Sequence, residues 1–211
     1  MRIVKEYEER RNEILETAEK LFVTKGYTKT TVNDILNEIG IAKGTFYHYF
    51  KSKEEVMDEI IMRIIKADVA KAKAIVSNPN IPVLDKLFRI LMEQSPKTGD
   101  IKEKMIEQFH QPNNAEMHQK SLVQSIIYLS PVLTEVLKQG IEEGIFSTPY
   151  PQETIELLIS SAQVIFDDGL FQWKPEEMMR RAIAYIKMME ASVGAKEGSF
   201  DYMLEVLIKQ K

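Results

Sequence analysis

Residues 31–55 restrict what this chain can fold into more than any other stretch. Val32, Ile35, Leu36 and Ile39 recur at i, i+3, i+4 and i+7, the spacing of an amphipathic helix. Gly40 follows the last of them, where a left-handed residue can end a helix. A second helix over 42–50 is too short to persist alone, so neighbours must hold it. On that helix Phe46, Tyr49 and Phe50 share one side and would anchor it inward. Gly44, Tyr47, His48 and Lys51 fall on the other side, flanked by Lys43 and Thr45. An exposed Tyr and His, a Gly near the helix start and lysines without acids suit a helix laid in the DNA major groove. The same pattern also fits a short connector helix with a half-buried tyrosine, because helix-turn-helix shapes occur away from DNA.

Charge favours the first reading. The whole chain of 211 residues carries a net charge of −4, which argues against non-specific coating of nucleic acid. Residues 1–53 hold 10 Lys and Arg against 8 Asp and Glu, and the remainder holds 18 against 24. A polyanion partner therefore belongs at the N-terminal end. With no cysteine, disulfides and thiolate chemistry are excluded, and a reducing compartment is compatible. The first residues lack the apolar core of a signal peptide. No apolar run reaches the roughly 18 residues of a membrane span. These features predict a cytoplasmic protein with no membrane partner.

The flanking segments extend the helical pattern. Ile14, Leu15, Ala18, Leu21 and Phe22 form one stripe of a helix over 6–25, with Gly26 as its C-terminal cap. Arg10 and Arg11, before that stripe, read as a solvated face or as side chains reaching DNA. Thr31 with Asp34 fits an N-terminal capping pair, and Thr30 and Thr31 also put hydroxyls where a phosphate could bind. Ser52 with Glu55 opens a long helix over 53–76. Lys53 lies in its first turn, where the helix dipole prefers anions; a nearby phosphate would turn that cost into an attraction, and a plain solvated lysine is the alternative. Further helices are predicted over 82–94, 101–110, 115–143, 151–172, 175–193 and 199–209, separated by breaks such as 77–82, 95–99 and 111–114. Pro131 should kink the 115–143 helix or mark a new start. Strand-like alternation is absent, so the fold class is all-α.

Residues 40–54, Gly-Ile-Ala-Lys-Gly-Thr-Phe-Tyr-His-Tyr-Phe-Lys-Ser-Lys-Glu, resemble the recognition helix and following turn of the tetracycline-repressor (TetR) family of bacterial regulators. Residues 18–32, with Phe22, Gly26, Tyr27, Thr30 and Thr31, are similar to the end of that family's first helix. The resemblance covers about residues 10–60. It implies an all-helical homodimer with a three-helix DNA-binding domain, 1–52, joined to a helical ligand-binding and dimerisation domain, 53–211, through a connecting helix, 53–76. It implies that Thr31, Tyr47 and Lys53 contact phosphate, and that Lys43, Gly44, Thr45 and His48 sit at or near base edges. Ala42 stands where many relatives have Ser, which removes one hydroxyl contact or cap.

The C-terminal half offers two sets of residues. Over 151–172 and 175–193 more than one stripe is apolar, so each helix should bury two sides. A partner subunit is the natural cover for Ile155, Leu158, Ile159, Ala162, Ile165, Ile183, Ile186 and Met189, which match where the family dimerises; burial within a monomer is the alternative. Met92, Met105, Phe109, Met117, Tyr128, Phe166 and Trp173 are adaptable or aromatic and could line a pocket for a small, largely apolar effector, or form an ordinary core. Asp167 and Asp168 could attract a cationic ligand or be a solvated helix end. His110 and His118 could pair on a metal or lie on a surface loop; neither a metal nor a cofactor is expected. The leading function is a ligand-responsive transcriptional regulator, most simply a repressor, binding a near-palindromic double-stranded DNA operator as a homodimer. Two alternatives stand beside it. One is a DNA-binding regulator without a small-molecule effector. The other is an enzyme or ligand carrier with a vestigial DNA-binding domain, which no nucleophile, acid–base set or Gly-rich phosphate loop supports.

Overall fold

The computed structural model describes residues 2–94 and 99–209. Its elements, in order, are α1 (Arg2–Lys25), α2 (Val32–Ile39), α3 (Lys43–Tyr49), α4 (Lys53–Val76), α5 (Val83–Gln94), α6 (Ile101–Phe109), α7 (Ala115–Glu142), α8 (Pro151–Ile165), α9 (Pro175–Ser192) and α10 (Asp201–Lys209), with a 3-10 turn at Pro112–Asn114. No strand occurs among the described residues, and no described helix is long and apolar enough to cross a membrane. The break predicted over 95–99 lies outside the described residues except for Gly99. Two compact units form, one of residues 1–65 with 96–121 and one of residues 66–95 with 122–211.

The first unit is built on the stripe of α1. Ile14, Leu15, Ala18 and Phe22 are buried, as are Ile35 and Leu36 of α2, Phe46 and Phe50 around α3, and Val56, Met57, Ile60 and Ile61 of α4. Met105 and Phe109 of α6 complete this core. Each large apolar side chain buried here contributes about 1.5–3 kcal/mol before entropy. That burial is what stabilises the two short helices. The turns are capped by the residues the sequence singled out. The Thr31 hydroxyl accepts the Asp34 N–H at 3.2 Å, and the Asp34 carboxylate accepts the Thr31 N–H at 2.7 Å. Gly40 is left-handed at φ 77° and donates its N–H to Leu36 O at 2.8 Å. The Ser52–Glu55 box closes only halfway. Ser52 accepts the Glu55 N–H, while the Glu55 carboxylate takes the N–H of Lys51 instead.

The second unit packs α5, α7, α8, α9 and α10 around Ile90, Leu133, Leu137, Leu158, Met189 and Phe200. Three features here bear on the sequence expectations or add to them. First, α7 runs unbroken through Pro131. Pro131 and Ile127, whose carbonyl loses its helical donor, are both exposed, so water can satisfy that carbonyl. Second, α8 ends at Ile165 rather than 172. The Asp167 carboxylate accepts the N–H groups of Gly169 and Leu170 at 2.8 and 3.0 Å, and this Asx turn replaces another helical turn. Third, the charged Glu190 is buried and ties α9 to α10 by accepting the N–H groups of Gly198 and Phe200, each at 3.0 Å. Burial alone would raise its carboxyl, but these two donors and nearby Lys187 hold it below the ordinary glutamate value.

Candidate nucleic-acid interface

In α3 the inward and outward faces divide as the spacing predicts. Phe46 is fully buried and Phe50 stands behind it. Lys43, Gly44, Tyr47 and His48 are exposed, and Thr45 is half-buried. The Lys43 ammonium lies 5.9 Å from the centre of the Tyr47 ring, a cation over an aromatic face. A Cβ built on Gly44 meets nothing within 4 Å, so the protein itself leaves that part of the helix surface open. The N-cap residue Ala42 makes no side-chain cap, as its missing hydroxyl requires. Together these residues form a convex surface bearing a cation, hydrogen-bonding groups and one bare stretch of backbone, which is a chemistry fit for base edges and phosphates.

At the start of α2, Thr31 is exposed and engaged with Asp34, whose carboxylate also meets Lys25 at 2.7 Å. The Lys25 contact, then the Thr31 N–H, holds the Asp34 carboxyl well below the usual carboxylate range. Thr30 is not at this surface. It is fully buried, with its hydroxyl on Gly26 O at 2.8 Å. Its hydroxyl therefore closes the turn between α1 and α2.

Lys53 turns toward the same connection. Its ammonium donates to Tyr27 O and Thr30 O, both at 2.9 Å, and lies 4.2 Å from the centre of the Tyr27 ring. Burial pulls its pKa below the ordinary lysine value. Within the protein these two carbonyls already offset its unfavourable place at a helix start. Tyr27 is a junction that the sequence did not reveal. Its N–H donates to the Gln108 side chain and its hydroxyl to Glu54, each at 3.3 Å. Burial, then the Glu54 charge, pushes that hydroxyl well above the ordinary tyrosine range. The Asn114 amide donates to Gln108 O at 2.6 Å, and the Thr28 hydroxyl reaches the Asn114 side chain. The turn that presents Thr31 is thus held by α4 and by the α6–α7 connection.

Arg10 and Arg11 are engaged within the protein. Arg10 pairs with Glu13, and Arg11 pairs with Glu59 at 2.9 Å while lying over Phe50. One turn earlier on the same stripe, Tyr7 packs on Tyr49 with ring centres 4.7 Å apart and meets His48 edge-on at 5.8 Å. The helical period could have placed Tyr7 on this stripe, two turns before Ile14, but not against His48.

The residues assigned to effector and dimer contacts separate by unit. Met105, Phe109 and Met117 belong to the first unit, where Met105 and Phe109 are core. His118 is also buried there, stacked parallel to Phe109, with the His110 ring 5.2 Å away, so neither histidine is on an exposed loop. Met92, Tyr128, Phe166 and Trp173 belong to the second unit. Tyr128 is exposed. Trp173 lies against Phe171, with Arg181 over its ring and its N–H on Ile165 O at 3.0 Å. The second unit also contains a cavity of about 20 Å³ lined by Leu87, Leu91, Leu133, Leu158, Tyr185 and Met189. That is room for about one water. None of the seven residues proposed for an effector lines it.

α8 and α9 each turn one apolar face inward, and further apolar side chains of both helices remain outside. Ile155, Leu158, Ile159, Ile186 and Met189 are buried in the unit's own core. Ala162 and Ile165 are half-buried. The outward side holds Ile183 together with Leu157, Val164 and Met188, and Leu157 is 71% exposed.

Residues 14–60 match the family described as bacterial regulatory proteins, tetR family, and residues 97–188 match a tetracyclin repressor-like C-terminal domain. The chain is 30% identical to the HTH-type transcriptional repressor KstR2 of Mycobacterium tuberculosis over 152 residues, covering 69% of this chain and 73% of that protein. It is 28% identical over 170 residues to the HTH-type transcriptional regulator YhgD of Bacillus subtilis, covering 80% of this chain and 86% of that one. A TetR-family regulator from Pectobacterium atrosepticum shares the fold, with a TM-score of 0.65 at 16% identity over 91% of this chain and 97% of that one.

Proposed function

This chain belongs to the TetR family and is a DNA-binding transcriptional regulator, and from that premise we propose that it is a ligand-responsive repressor acting as a homodimer. Two copies of α3 enter successive major grooves of a near-palindromic operator, about 34–36 Å apart. Lys43, Gly44, Thr45 and His48 lie at or near base edges, and Tyr47 and Thr31 meet phosphate. Lys53 acts from behind by fixing the turn that carries Thr31. The observation that carries this reading is the outer face of α3, where Lys43, Tyr47 and His48 surround an unobstructed Gly44. The exposed apolar side chains Leu157, Val164, Ile183 and Met188 mark the dimer surface, because apolar side chains this exposed need a cover. Such a protein works in the cytoplasm, on the nucleoid when bound.

The effector is a small, largely apolar molecule that binds the second unit better in the DNA-free conformation and shifts α4. Only that difference in affinity makes a switch. A second reading is a regulator with no small-molecule effector. A thermal-shift screen separates the two, since a specific ligand raises the melting temperature by mass action. DNA binding is tested by fluorescence anisotropy on genomic fragments enriched by the purified protein. Tyr47→Ala is expected to lose binding while folding normally; full retention removes α3 as the reading helix.

A further inference from the structure

We propose that Tyr7 of α1 is a specificity-positioning residue that fixes the His48 imidazole before DNA arrives. The inference rests on the reading of α3 as the recognition helix. His48 is exposed at the C-terminal end of α3 and makes edge contacts with two tyrosine rings. Tyr49 meets it at 5.0 Å and 83°, and Tyr7 at 5.8 Å and 82°. Tyr7 and Tyr49 themselves pack at 4.7 Å, which closes a three-ring cluster. Tyr49 is the neighbour of His48 in the chain, so its ring is supplied by the helix itself. Tyr7 comes from another element and is the side of the cluster that tertiary packing adds.

A histidine on a short surface helix would otherwise choose among rotamers, and each could offer a different ring edge to the groove. Held between two rings, it offers one. Freezing a side chain before binding removes an ordering cost worth roughly 2- to 12-fold in affinity. The benefit goes only to sequences that match the fixed edge. Tyr7 therefore acts on which base pair His48 accepts, while the rest of α3 keeps its phosphate contacts. Arg11, on the same α1 face, docks this part of the helix through Glu59 and Phe50, so the ring is presented by an anchored element.

The test uses the full-length protein and a random duplex pool. The duplex most enriched by wild type is remade with every single base-pair change, and affinities are measured for wild type, Tyr7→Ala, Tyr7→Phe, His48→Ala and the Tyr7→Ala/His48→Ala double variant. Preference should flatten by roughly 2- to 12-fold at the same base pairs in Tyr7→Ala and His48→Ala. Tyr7→Ala should add nothing on the His48→Ala background, and Tyr7→Phe should match wild type. Uniform weakening across all duplexes, additive effects, or a Tyr7→Phe variant that behaves like Tyr7→Ala overturns the proposal. If Tyr7→Ala does not fold, Tyr7→Leu keeps the helix packed without a ring and takes its place. If wild type enriches no duplex, or His48→Ala alone leaves every affinity unchanged, the reading of α3 fails first and this inference falls with it.

Discussion

Replacing Gly44 with alanine should make the protein more stable and worse at binding DNA. Gly44 is the second residue of α3, and a Cβ there meets no atom within 4 Å. Nothing inside the chain therefore requires a glycine. Alanine in a helix is favoured over glycine by about 0.5–1 kcal/mol, through lower chain entropy in the unfolded state. For a chain of this size that corresponds to a rise of about 1–4 °C in Tm. On the DNA side, the same methyl enters a surface proposed to touch base edges. An extra methyl in a packed contact costs about 1–3 kcal/mol, or roughly 5- to 150-fold in Kd. The assay pairs differential scanning calorimetry of the free protein with fluorescence anisotropy on the enriched duplex. Gly140 supplies the contrast, because a Cβ there would drive into the Phe146 ring, so Gly140→Ala should lower the Tm. A Gly44→Ala protein that binds DNA like wild type refutes the close approach of DNA to this backbone. One that melts lower refutes the open geometry.

Lys53→Met removes the donor to two carbonyls and should cost about 1–3 kcal/mol of stability, read by thermal melting, with the salt slope of DNA binding unchanged. An unchanged Tm with a slope smaller by about 0.9 would instead make Lys53 a phosphate contact. Leu157→Glu puts a charge on the exposed side of α8 and should weaken the proposed dimer by about 3 kcal/mol or more, over 100-fold, seen by sedimentation equilibrium; an unchanged dimer places the interface elsewhere. Glu190→Ala leaves the N–H groups of Gly198 and Phe200 without their acceptor and should cost about 1–3 kcal/mol for each that stays dry. Because the Glu190 carboxyl is held below its ordinary value, its stabilisation is present above about pH 4.3 and is lost as pH falls through the folded value. Acid melts of wild type and Glu190→Gln should therefore converge at low pH.

Much of the fold was legible in the residue pattern. The stripes of α1, α2 and α4 are contiguous and periodic, and Thr31, Asp34 and Gly40 cap where their chemistry allows. The outer face of α3 was legible too, because a seven-residue helix with Phe46 and Tyr49 on one side, and Phe50 just after it, can hide only that side. Less legible were contacts made at a distance along the chain. Tyr27 meets Gln108, and Tyr7 meets His48, across separations that a helical period does not encode.

Sequence by itself determined that the chain is helical, which side of α3 is left outward and that α8 and α9 are apolar beyond a single stripe. Only the tertiary structure decided which stripe faces inward. Ile155, Leu158, Ile186 and Met189 pack into the core, while Leu157 and Met188 remain outside. It also turned Lys53 onto the carbonyls of Tyr27 and Thr30 and buried Thr30 and His118. The physical reason is common to all of these. A periodic pattern says which side chains share a face, but burial and charge pairing depend on what other segments bring to that face.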